Sequence, residues 1–187
     1  MDGESSPEKR APDPLELVQR FVNSADLETG RDELDTPAAL VAWMAAWGLC
    51  DADCAASAEH HERALQVREG LRAVLHGHNG AAVDPDAVAG LEAAAAHASL
   101  RASFTAGNPC LTPVCGGVDA GLATMLGLVT TAAADGSWQR LKACADHGCR
   151  WAFYDHSRNH SGRWCSMATC GNQQKARAFR ERARASP

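Results

Sequence analysis

The residues of this 187-residue chain whose types and spacing carry chemistry are four cysteines near its C-terminal end. Cys144 and Cys149 have four residues between them, Cys165 and Cys170 also have four, and fifteen residues separate the two pairs. A tetrahedral S4 centre asks for this arrangement, because each close pair spans two corners and the loop brings the pairs together. Zinc favours such thiolates, and four of them leave no position open for a substrate. One structural Zn2+ per chain is therefore expected, with no catalytic part for the metal. A segment this small has too little core to fold alone, so metal binding should supply about 10–16 kcal/mol of apparent folding free energy. His147, His156 and His160 lie within or beside it, but four thiolates already complete a closed site, and these rings read as surface or backbone-contacting groups.

Cys50, Cys54, Cys110 and Cys115 make two further pairs. They read as buried small hydrophobes, with a second metal site as the open alternative. His60-His61-Glu62, taken with Pro109-Cys110 and Cys115, is similar to the HxE and PCxxC signature of zinc nucleobase deaminases. The spacing fails, since four residues stand between those cysteines where two are needed, and Pro113 interrupts the helix start such a site requires. No residue combines a nucleophile with a base and an orienting partner, so no enzyme is expected.

Charge divides the chain. The formal net charge of -5 conceals -12 over residues 1–136 and +7 over residues 137–187. Only the second part suits a polyanion. Hydrophobic residues at 45% and charged residues at 22% fit a globular protein rather than a disordered one. The polar leader MDGESSPEKRAPDP lacks the apolar core of a signal peptide, so residues 1–13 read as a flexible tail. The longest apolar run, Gly121 to Ala134, is broken by threonines and falls short of the roughly 20 residues that span a bilayer, which gives no membrane role. A reducing, cytoplasmic setting follows, in which paired cysteines bind metal more often than they form disulfides.

Four stretches of the acidic part read as helices that must carry the rest. Thr36-Pro37 caps a stripe of Leu40, Val41, Trp43, Met44 and Trp47, and Asp84-Pro85 repeats the device before Val88, Leu91 and Ala95. Between them, a helix from about Asp53 to His76 places Ala64, Leu65, Leu71, Val74 and Leu75 inward and stops at Gly77, with His76 and His78 as capping groups. A fourth, from about Asp119 to Ala134, is apolar nearly all round and is expected to be the most buried. Residues 100–114 read as a hairpin turning at Gly107-Asn108-Pro109. LELVQRFVNS can be helix or strand. The fold class is thus mainly α with a small β-hairpin. A helical domain over 14–136 precedes a zinc module over 137–187 that ends in a basic helix.

On that helix Ala176, Phe179 and Ala183 form an apolar stripe expected to pack on the zinc core, while Arg177, Arg180 and Arg184 align on a neighbouring face. With Lys175, and with Arg158 and Arg163 from the loop, they form a candidate nucleic-acid surface, most naturally for double-stranded DNA. A partner protein or the acidic domain itself is the alternative. Trp151, Phe153, Tyr154 and Trp164 read as the module's small core.

The segments WQRLKAC, CRWAFYDHSRN, RWCSMATCGN and QKARAFRERAR resemble the CGNR-type zinc finger. The tetrapeptide that names the family is here Cys170-Gly171-Asn172-Gln173, and Gly162-Arg163 stands where two arginines are common. LELVQRFVNSADLETGRDELDTPAALVAWMAAWGL and ALQVREGLRAVL resemble the companion ABATE domain, named for stress-induced transcription regulation. The resemblance implies a helical domain, a zinc module and a DNA-binding regulator. If the finger is an output, the helical domain becomes a sensor for a small-molecule effector, with Phe21, Asn23, Arg31, Trp43, Trp47 and Arg68 as pocket candidates.

Overall fold

The computed structural model describes residues 9–104, 107 and 109–185. Its helices are α1 (Leu15–Val22), α2 (Pro37–Ala46), α3 (Ala58–Gly77), α4 (Pro85–Ala95), α5 (Gly117–Asp135) and α6 (Asn172–Ala185). Three antiparallel pairs accompany them: β1 (Ala25–Asp26) with β2 (Arg31–Asp32), β3 (Leu100–Ser103) with β4 (Cys110–Pro113), and β5 (Leu141–Ala143) with β6 (Ala152–Tyr154). The molecule is mainly helical, as the patterning predicts.

Local chemistry sets most of the boundaries. The Thr36 hydroxyl accepts from Ala39 N at 3.1 Å, and the Asp84 carboxylate caps α4 from Asp86 N and Ala87 N. Helix α3 begins at Ala58 rather than near Asp53, because Ser57 caps it: its hydroxyl accepts from His60 N, and the His60 ring reaches back to Ser57 N. LELVQRFVNS resolves as α1, with Val18, Phe21 and Val22 fully buried. The hairpin forms with Ala102 opposite Leu111, and Asn108 of its expected turn lies outside the described residues.

The centre of the core is α3, which packs on α1, α2, α4, α5 and β5. Helix α5 is not the most buried element that its sequence predicts: Thr130, Thr131, Ala133 and Ala134 are exposed. Its threonines bond within the helix, Thr130 to Leu126 O at 2.9 Å and Thr131 to Gly127 O at 3.0 Å, so that edge carries its polar groups internally satisfied into water. At 19 residues α5 is longer than the apolar run from which it was read and meets the length and composition of a membrane-crossing helix. Here it is built into the body: Val118, Leu122 and Met125 join the shared core, and it packs on α1, α2, α3 and the β3–β4 hairpin.

Of the tail expected at 1–13, residues 1–8 lie outside the described residues; of the rest, Pro12 and Asp13 are exposed, while Lys9, Arg10 and Ala11 lie against the body. Ala11 is buried and donates its N–H to Gln19 Oε1 at 2.7 Å, while the Lys9 ammonium sits 4.9 Å from the Phe153 ring centroid. One core cluster runs from Phe21 and Leu71 of the body to Trp138, Leu141, Ala143, Ala152 and Tyr154 of the C-terminal part.

Candidate metal centre and nucleic-acid interface

Two knuckles meet across the β5–β6 hairpin. Strand β5 delivers Cys144, whose N–H donates to Trp151 O at 2.9 Å, and the chain then turns on Asp146, whose carbonyl accepts from Cys149 N and Arg150 N. Arg150 follows Cys149 in a left-handed conformation with φ 48°. The second knuckle is a single π-helical turn, Met167–Gly171, with Ser166 capping Thr169 N and accepting Gly171 N on its own carbonyl. Ala145 N donates to Arg163 O at 2.9 Å and holds the knuckles side by side.

The Sγ atoms of Cys144, Cys149, Cys165 and Cys170 all lie within 4.8 Å of one another, with Cys149 to Cys165 at 3.6 Å and Cys165 to Cys170 at 3.7 Å. A tetrahedron of Zn–S bonds near 2.3 Å has edges of about 3.8 Å, so the four thiols stand at ligand spacing. Hydrogen bonds from the Cys149 and Cys165 thiols draw Cys144 well below the usual thiol range. Cys149 and Cys165 are pushed up by the same bonds, and Cys170 by burial and the Cys144 charge. The direction is thus downward for Cys144, which receives these hydrogen bonds, and upward for the thiols that donate them. The set fits one structural zinc, whose 2+ charge would offset part of the thiolate charge while its four bonds would cross-link the knuckles.

Among the described residues this is the one group that could hold a metal. Cys50, Cys54, Cys110 and Cys115 do not form a second, nor are they the buried small hydrophobes expected: Cys110 is exposed and the other three are half-buried. The histidines beside the site are committed elsewhere: His147 stacks edge-on against His76, His156 Nε2 bonds Arg10 O at 2.8 Å, and His160 Nε2 meets the Arg140 guanidinium. His60 and His61, part of the deaminase-like pattern, cap α3 and bond Leu34 O respectively.

Two glycines are fixed by contacts. A Cβ on Gly171 would lie 2.9 Å from Met167 Sδ and 3.3 Å from Trp164 Cδ1. One on Gly162, where the resemblance leads one to expect arginine, would lie 2.8 Å from Asp155 Oδ1. That carboxylate cannot swing away, being buried and bonded to Lys142 Nζ, Ser157 N and Gly162 N. Burial opposes its ionisation, but the Lys142 hydrogen bond and the loop N–H groups hold the carboxyl well below the usual range.

The helical body grips this module by its backbone. Asn23 closes a two-bond amide pair on Ala152 of β6, accepting from its N at 2.7 Å and donating to its O at 2.9 Å. Gln19 donates to the same carbonyl at 3.1 Å. From the end of α3, His78 bonds Leu141 O at 2.8 Å, and Asn79 Nδ2 donates to Ala143 O and Arg163 O, each at 2.8 Å. His78 is the C-cap of α3 and His76 lies in its last turn, as expected, and the rings of both face the zinc module. None of these ties left a sequence signal, because they join residues 63 to 133 positions apart.

The remaining pocket candidates are spoken for. Phe21, Trp43 and Trp47 stack in series, with the Arg20 guanidinium over Trp47. Arg68 is buried against Asp32, Ser24 and Glu69, and Arg31 pairs with Glu33 at 3.7 Å. An open, mostly apolar groove of about 780 Å³ lies elsewhere, between α2 and the loop before α3, walled by Pro37, Val41, Ala45, Cys54 and Ala56.

Arg158, Arg163, Lys175, Arg177, Arg180 and Arg184 are all exposed, with Arg163 over the Trp164 ring. Phe153 and Tyr154 are buried in the module, and Trp151 and Trp164 are half-buried. The apolar stripe of α6 departs from expectation. It does not pack on the zinc core; Phe179 is 68% exposed, and Ala176 and Ala183 are exposed with it. The reason is which face the knuckle holds: Gln174 Nε2 donates to Asp146 Oδ2 at 3.0 Å and Arg177 reaches Asp146 Oδ1 at 3.7 Å, on the side of the helix away from Phe179.

A closed thiolate centre clamped to a helical body is a structural zinc-finger protein. Residues 15–136 match ABATE, described as a putative stress-induced transcription regulator, and residues 140–183 match the CGNR zinc finger. The chain belongs to the ABATE family and carries a CGNR zinc finger at its C-terminal end. Comparison with curated proteins gave no match.

Proposed function

We propose that the protein is a cytoplasmic transcription regulator that binds double-stranded DNA through its zinc module. The carrying observation is the set of exposed cations on the module: Arg158 and Arg163 on the loop, and Lys175, Arg177, Arg180 and Arg184 on α6. They are held out by a metal centre that has no position for chemistry of its own. Guanidinium groups fork onto phosphate oxygens, so this surface supplies backbone contacts and a salt-dependent affinity. The acidic body faces the same polymer with repulsion, which orients the molecule.

The test is binding to random duplex DNA at about 50 and about 200 mM salt, with and without chelator. Steep loss of affinity with salt, and loss on chelation, are expected. Salt-insensitive binding, or none by the zinc-loaded protein, overturns the reading. The groove beside α2 supports a second role as the site of a small apolar effector, which a ligand-induced rise in melting temperature would reveal.

A further inference from the structure

Helix α6 spans Asn172–Ala185, and every side chain described from Lys175 onward is exposed. Phe179 stands on it without a partner element, at 68% exposure. At about 100° per residue, Asn172, Ala176, Phe179 and Ala183 fall within roughly 60° of arc. Lys175 and Arg182 border that stripe on one side, and Arg180 and Arg184 on the other. Glu181, the helix's one acidic residue, points the opposite way. Arg180 Nε bonds Ala176 O and Arg182 Nε bonds Ala178 O, each at 3.2 Å, so both guanidinium groups are steadied along the rims of the stripe.

This pattern selects its occupant. A second copy of α6 laid on the stripe would bring the cationic borders of both helices together, which is unfavourable on both flanks. An apolar protein groove leaves the borders unmatched. A duplex groove matches both features, since phosphates line its two walls and apolar groups are present on its floor. The major groove, about 12 Å wide, admits a helix 10–12 Å across. Its one apolar floor group is the C5-methyl of thymine, and alanine and phenylalanine are among the side chains that contact it.

Resting on the DNA-binding reading above, we infer that α6 enters the major groove with Ala176, Phe179 and Ala183 toward the bases, and that Phe179 selects thymine by its methyl group. The arginine rows then grip the two strands instead of forming the face that enters. Arg177, turned back to Asp146, belongs to the anchor of the helix more than to its reading face.

The experiment titrates zinc-loaded full-length protein against an A·T-rich duplex and against the same duplex with uracil replacing thymine. Loss of each contacted methyl should weaken binding about threefold to fivefold. Phe179→Ala should weaken binding to the thymine duplex and abolish the difference between the duplexes while leaving the salt dependence unchanged. Arg180→Gln should lower the salt dependence and keep the thymine preference. Both positions are exposed, and an unchanged helical signal by circular dichroism confirms that the variants fold. Wild-type binding that does not distinguish the duplexes, or a Phe179→Ala variant that still does, overturns this inference and leaves the DNA-binding reading standing. No binding to either duplex overturns both. A solution dimer that Phe179→Ala disperses also overturns it, by assigning the stripe to a second copy.

Discussion

The seam between body and finger and the helix that projects from the finger are built by opposite rules. At the seam, Gln19, Asn23, His78 and Asn79 spend their polar groups on backbone atoms of β5, β6 and the second knuckle. Buried polar atoms must be satisfied, so each of these ties fixes position. Along α6, cations and a phenylalanine stand in water, and the described helix is fastened at its start through Gln174 and Arg177. The contrast separates what holds the module from what the module presents.

The strongest way to break that contrast is to remove the metal. Trp138, Leu141 and Tyr154 share one core with Phe21 and Leu71, so chelation should unfold the module and lower the melting temperature of the body with it. The scale is the roughly 10–16 kcal/mol that structural zinc contributes to small modules. Calorimetry with and without chelator measures this, and a body transition that stays put would show two independent units.

Next in size come the seam amides. Asn79→Ala leaves the Ala143 carbonyl without its amide partner, at a cost of about 1–3 kcal/mol if it stays buried, and leaves Arg163 O with Ala145 N alone. It should also weaken zinc about 10–100-fold, as loss of outer-sphere support does. Chromophoric chelator competition reads the second effect separately from unfolding. Gly162→Arg restores the residue the family resemblance suggests and sharpens the same point. It should lower the melting temperature, because its Cβ collides with the Asp155 carboxylate, and so fail to strengthen DNA binding despite the added charge.

A smaller effect concerns pH. Burial pushes the His78 ring down from its ordinary 6.5, against the Leu141 hydrogen bond, so the folded protein prefers the neutral ring. That preference stabilises the fold above pH 6.5 and is lost as pH falls below it. His78→Gln should flatten the pH dependence of the melting temperature in that window. Least of all, Arg184→Gln should leave stability within about 0.5 kcal/mol. Its signature is a salt slope of DNA binding reduced by about one.

Much of the scaffold was legible because its signals are local. Thr36-Pro37 and Asp84-Pro85 announce α2 and α4 through hydroxyl and carboxylate caps that act within three residues. The four cysteines announce the zinc site because paired spacing already encodes two corners of a tetrahedron. Strands β5 and β6 were not legible, since three residues each are too few to show an alternation. The mixture of apolar and polar groups that suggests a pocket serves equally well for a stacked aromatic row and a buried arginine.

The sequence by itself determined the helical class, the thiolate centre and the split between an acidic body and a basic end, because composition, caps and ligand spacing act at short range. Tertiary structure decided which way α6 faces. Helical periodicity places Phe179 and the arginines on different faces but does not say which face meets the knuckle. Asp146, through its contacts to Gln174 and Arg177, makes that choice and turns Phe179 outward.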